Sequence, residues 1–188
     1  ETVRAIDPDL ETWPEKVVSR INRDIRFSKD KSPYRDYIWL AFRRPGADRR
    51  TTMGMYFDIS DAGASYGMGF YDENRPLMNA LRRRILTEPE RVLEATDSAL
   101  DEFTLHATAF RRVAIPEQIP EKLKVWYPLK GFYVEKEIND FDLIRSPLLA
   151  EEVRRGFLHL KPLYDYIASL TPEEDMTDPT VDGRAFHA

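Results

Sequence analysis

The chain has 188 residues, a formal net charge of −5 and no cysteine, with 42% hydrophobic and 32% charged residues. That length supports a hydrophobic core without disulfides or structural metals, and the lack of cysteine excludes thiolate catalysis and cysteine-ligated zinc. No apolar run reaches the roughly 18 residues of a membrane span, no signal-peptide pattern opens the chain, and the mild negative charge argues against a nucleic-acid partner, so a cytoplasmic protein without a membrane partner is expected.

The opening stretch, ETVRAIDPDLETWPEK, holds two prolines and little periodicity, so it reads as a loop or frayed lead-in. Val17 to Ile25 alternates like a strand, and the SKDKSP hexapeptide that follows Phe27 carries turn chemistry. In the segment Tyr37 to Arg44, Tyr37, Trp39 and Ala41 share one face and Ile38, Leu40 and Phe42 the other. Both sets are apolar, which predicts a central strand covered on both faces. RRPGADRR reads as a hairpin loop. Met53, Met55, Phe57 and Ile59 alternate with Thr52, Gly54, Tyr56 and Asp58, the pattern of a half-buried strand. Tyr66, Met68 and Phe70 then alternate with Gly67 and Gly69. Three strands on short loops predict an antiparallel meander.

The period changes at Leu77, Leu81 and Ile85, which fall on one helical stripe. A second helix is expected from Pro89 to Phe103, a strand from Leu105 to Phe110, and another from Phe132 to Ile138 with Phe132, Val134 and Ile138 inward. Ser146 and Pro147 open the longest predicted helix, which runs to Leu170 on a stripe that includes Leu149, Val153, Phe157 and Leu160. The fold class is therefore α+β: an antiparallel sheet with helices packed mainly on one face and a long C-terminal helix. Residues 1–170 are expected to form one domain, and 171–188 an acidic, loosely held tail.

The segment INRDIRFSKDKSPYRD resembles the signature of the conserved-hypothetical family known as domain of unknown function 2461. Members show an Arg-aromatic-Arg-Asp run leading into RFSKDKSPYK, then a strand with an aromatic pair, a Gly-rich strand and a helix carrying an Arg. The matching pieces are Arg20 to Arg35, Met55-Tyr56-Phe57, Tyr66-Gly67-Met68-Gly69 and Leu81-Arg82; LKVWYPLKGFYVEKEI before a long helix fits as well. The resemblance covers residues 15 to 170. Asn22 stands where the family commonly has an aromatic, and a helical segment with paired Asn residues and a Trp-Phe, usual at the start of members, is not seen. The resemblance implies which residues act as a set; it implies no activity, because the family has none assigned.

The charged segment is the leading site candidate. Arg23, Arg26, Ser28, Lys29, Lys31 and Tyr34 supply bidentate, point-charge and hydroxyl donors for a phosphate or carboxylate. Arg82, which matches the helix Arg of the family, is the seventh ligand-binding candidate, and Asp24 and Asp30 are the candidate acid or base. The structural alternative is an Asp–Arg–Tyr network that locks the turn, with Phe27 as a core plug. Gly67 and Gly69 are candidates for close approach by another backbone, a helix or a ligand. No cofactor-binding motif is recognisable. His106, His159 and His187 lack metal-ligand spacing, and an all-oxygen Mg²⁺ site would draw on Asp24, Asp30 or Asp58. The expected function is recognition of a small anionic ligand at a polar cleft, with or without a catalytic step. The rival is a non-catalytic interaction module in which the acidic tail or an exposed aromatic patch engages a protein partner. Ligand identity and oligomeric state have no signal in the sequence.

Overall fold

Period-two alternation in five segments produces a five-stranded antiparallel sheet in the computed structural model. The structure describes residues 1–173 apart from 24, 25, 28, 30, 47 and 49. The strands are β1 (Tyr37–Phe42), β2 (Gly54–Ser60), β3 (Ala64–Gly69), β4 (Thr104–Ala109) and β5 (Leu129–Ile138), ordered β1-β2-β3-β5-β4. The first three form the expected meander, and the protein is α+β.

Register assigns the two faces, because partners across an antiparallel ladder point the same way. On one face Met55 stands opposite Met68, Met68 opposite Val134, and Val134 opposite Leu105. Met55, Tyr66, Met68, Phe132 and Val134 are each at most 2% exposed. This face is covered by helices, among them α3 (Arg75–Thr87), α7 (Leu148–His159) and α8 (Lys161–Ser169). The predicted stripe of α3 is buried, and Asn74 caps the helix by accepting from the Leu77 amide at 3.1 Å. On the other face the rows Trp39–Asp58–Ser65–Glu137 and Ala41–Tyr56–Gly67–Glu135 run across the strands. Apart from Ala41 and Gly67 these residues are polar or aromatic, and this is the polar face.

Four expectations need correction. Strand β1 lies at the sheet edge rather than in its centre. Its second apolar set, Tyr37, Trp39 and Ala41, belongs to the polar face instead of a second core layer. The lead-in holds a short helix, α1 (Thr2–Ile6), and Val3, Ile6 and Leu10 are buried in the core. Two prolines masked that i, i+3, i+7 spacing. Val17–Ile25 forms no continuous strand among the described residues; only Val18 and Asn22 bridge, to Leu40 and Tyr34.

The two long helices are also divided. The segment from Pro89 forms α4 (Pro89–Thr96) and α5 (Ala99–Glu102). The C-terminal helix breaks at Leu160, because Pro162 has no N–H for the Leu158 carbonyl and its ring would strike that carbonyl. The break lets α8 turn back over α1, where the Tyr164 hydroxyl donates to buried Asp7 at 2.6 Å. No described helix is long and apolar enough to cross a membrane.

Candidate functional site

Alternation places Arg35, Tyr37 and Trp39 on the same side of the chain, and they stack. The Tyr37 and Trp39 rings lie 5.5 Å apart at 21°, and the Arg35 guanidinium sits 4.8 Å from the Trp39 centroid. Trp39 and Ala41 form the floor of a cleft of about 570 Å³, walled by residues 15–20 and by Arg43 to Gly46. Ser19 holds that wall to β1: its amide donates to the Trp39 carbonyl, and its hydroxyl accepts from the Trp39 amide. Five cations line the cleft, Lys16, Arg20, Arg35, Arg43 and Arg44, against Glu11 and Glu15. Lys16 is paired with Glu11 at 2.9 Å and Arg44 with Asp7 at 2.8 Å. Burial pushes the Asp7 carboxyl up, but hydrogen bonds from Tyr164 and Arg44 outweigh this and hold it below the ordinary range. Arg20 and Arg35 make no side-chain hydrogen bond to a described residue.

The charged segment lies in the chain between Arg20 and Arg35, both of which line this cleft. Its described ends pair as the base of a hairpin: Asn22 bridges Tyr34, the Arg23 amide donates to the Pro33 carbonyl, and the Arg35 amide donates to the Ile21 carbonyl. Arg23 contacts Asp36 at 3.4 Å, and Arg26 lies over the Phe27 ring. Lys29, Lys31 and Tyr34 are exposed. Phe27 is 94% exposed, so the core plug of the structural alternative does not exist. Asp24, Ser28 and Asp30 lie outside the described residues.

Arg82 is elsewhere. It is 1% exposed and donates to the carbonyls of Tyr127 and Leu129 at 2.8 and 2.9 Å and to Asn79 Oδ1 at 2.6 Å. The structure therefore does not bring it together with the hairpin. Gly67 and Gly69 lie in β3 against β5. A Cβ on Gly67 would fall 1.8 Å from the Val134 carbonyl oxygen, and Gly69 has φ +155°. The backbone that comes close is a neighbouring strand.

A second constellation occupies the middle of the polar face. Tyr56 reaches over Gly67 and donates to Glu135 Oε2 at 2.9 Å. Ser65 Oγ lies 2.9 Å from the same oxygen and 2.9 Å from Asp58 Oδ2. His106 Nε2 is 3.8 Å from Glu135 and its ring stacks on Tyr133 at 4.7 Å. Burial raises the Asp58 carboxyl, the hydrogen bond from Ser65 partly offsets this, and the charge of Glu135 raises it further. Burial and Glu135 together push the Tyr56 hydroxyl well above its ordinary value. Asp58 is the cross-strand neighbour of Trp39, so this array adjoins the floor of the cleft. Among the described residues no group of three or more His, Asp or Glu is arranged to hold a metal.

The model of the family described as "Conserved hypothetical protein (DUF2461)" matches residues 1–166 of the chain. The chain belongs to the DUF2461 family. No curated protein and no solved structure matches it. In this DUF2461 protein the signature segment supplies the hairpin and one end of the cleft, through Arg20 and Arg35. Apart from Asp58, named as a possible Mg²⁺ ligand, the polar array was not singled out from sequence, although Tyr56, Asp58 and Glu135 fall at the outward positions of their strands. What the sequence lacks is the pairing of β3 with β5, which brings residues 65 and 135 together across 70 positions.

Proposed function

We propose that this DUF2461 protein binds a small anionic ligand, carrying a phosphate or carboxylate, in the cleft floored by Trp39. One observation carries the reading: Arg35 is stacked on Trp39 and, with Arg20, has no carboxylate partner among the described residues, inside a concave site with a cationic excess. Stacking against the rings positions the guanidinium and leaves N–H donors for a bidentate acceptor. Arg23, Arg26, Lys29 and Lys31 of the hairpin would extend the field around the bound anion, and Tyr34 would offer a hydroxyl donor.

Calorimetric titration with inorganic phosphate and with sulfate tests this. The wild-type protein is expected to bind at least one of them. Arg35→Ala should weaken binding about tenfold or more, and Arg20→Ala by a smaller factor, both with an unchanged thermal midpoint. Binding that survives both substitutions would place the anion elsewhere.

The exposure of Phe27, Tyr34 and Ile21 on one hairpin favours a second reading, a protein-interaction surface. It predicts that Phe27→Ser leaves anion binding intact and abolishes capture of a partner protein. A partner retained by Phe27→Ser removes this reading.

A further inference from the structure

Three oxygen–oxygen contacts join Tyr56, Glu135, Ser65 and Asp58, each at 2.9 Å. Three hydrogen bonds need three protons, and the two hydroxyls supply two. With both carboxyls ionised, Ser65 can donate to only one of them. The other contact would then set an anionic oxygen against a lone pair of Ser65 Oγ. A proton on one carboxyl completes the set. Tyr56 already donates to Glu135 Oε2, so the consistent arrangement has Ser65 donating to Glu135 and Asp58 donating to Ser65.

We propose that Asp58 and Glu135 hold one proton between them through Ser65, and that this proton is coupled to anion binding in the adjacent cleft, which is tighter when the proton is present. The coupling rests on the anion-binding reading above; the shared proton does not. Its physical origin is position. Asp58 sits beside Trp39 in the register, and the Arg35 guanidinium lies over that same ring. Losing the proton adds a negative charge to the polar face next to the anion. The other titratable or charged groups facing the pair are Tyr56 on β2, Glu137 and Tyr133 on β5, His106 on β4, and Arg35 just before β1. His106 lies against Glu135, so its contribution has to be separated.

Two measurements on the full chain decide the matter. The first is a ¹³C carboxyl titration without ligand, with the Asp58 signal assigned by its loss in Asp58→Asn. The Asp58 signal should move in two separated steps, with its upper step above the ordinary carboxylate range. A single ordinary step at Asp58 overturns the shared proton. The second is calorimetry with sulfate, which does not titrate near neutral pH, at pH 5 and pH 8. Affinity should fall about three- to tenfold at the higher pH in the wild type and in His106→Gln. It should be nearly flat in Asp58→Asn, whose amide can still donate to Ser65. An equal fall in Asp58→Asn, or no fall in His106→Gln, overturns the coupling. Absence of sulfate binding at both pH values overturns the anion reading and the coupling with it, while the carboxyl titration still decides the proton.

Discussion

Arg35 and Arg82 are the same side chain put to different uses. Arg35 stacks at the surface of a cleft, whereas Arg82 is enclosed and spends its donors on main-chain carbonyls just before and at the start of β5. Replacing Arg82 by Met removes those donors and strands buried acceptors. The expected cost is about 3 kcal/mol of stability, with sulfate affinity unchanged in the protein that remains folded. Lysine should not restore the loss, since one ammonium cannot span carbonyls two residues apart and Asn79 together. Urea unfolding of the two variants checks this; a near-neutral Arg82→Met would mean the carbonyls find other donors. Sequence placed Arg82 on a helix but could not assign its partners, because burial depends on which helix face meets the sheet.

At the scale of elements, close approach of backbones decides what is tolerated. Gly67 lies between Tyr56 and Glu135 in its row, and its own Cβ position is filled by the Val134 carbonyl. Gly67→Ala should therefore separate β3 from β5, cost at least about 3 kcal/mol, and disturb the Tyr56–Glu135 contact. A crystal structure or amide exchange at Glu135 would register the displacement; an unperturbed ladder contradicts it. The hairpin behaves oppositely. Phe27 is nearly fully exposed, so Phe27→Ser should change the thermal midpoint by no more than about 1 °C. The alternation of Tyr37, Trp39 and Ala41 was readable in advance because it is local. The helix break at Pro162 was also written in the sequence, but the apolar stripe continues through it and suggested one helix.

Across the whole molecule, charge networks tie distant elements together and set the response to acid. Glu102 of α5 accepts from Arg155 and Lys136, and Glu152 of α7 accepts from Lys136, Arg155 and Tyr66. Arg155, then Lys136, hold the Glu102 carboxyl down to about 2. Lys136 first, with Arg155 and Tyr66, holds Glu152 down to about 2 against the opposing effect of burial. A depressed carboxyl contributes stability above its unfolded value of 4.5 and loses it as pH falls toward about 2. Asp58 has the opposite sign: its raised carboxyl favours the folded state at low pH and loses that contribution as pH rises through its folded value. Two carboxyls outweigh one, so chemical stability should drop between pH 4.5 and pH 2, less steeply in Lys136→Met. Denaturant unfolding across that window measures it, and a flat profile would show that the network carries little of the fold.

Alternation, turn residues and helical stripes are properties of neighbours along the chain, and they were enough to establish an α+β protein with a three-strand meander and the family signature. They also marked the charged segment as unusual. The order of the strands, the edge position of β1, the removal of Arg82 into the core and the meeting of Asp58, Ser65 and Glu135 depend on contacts between residues far apart in sequence. Those contacts follow from which apolar faces are buried against each other, a choice made by the packed molecule as a whole and carried by no single segment.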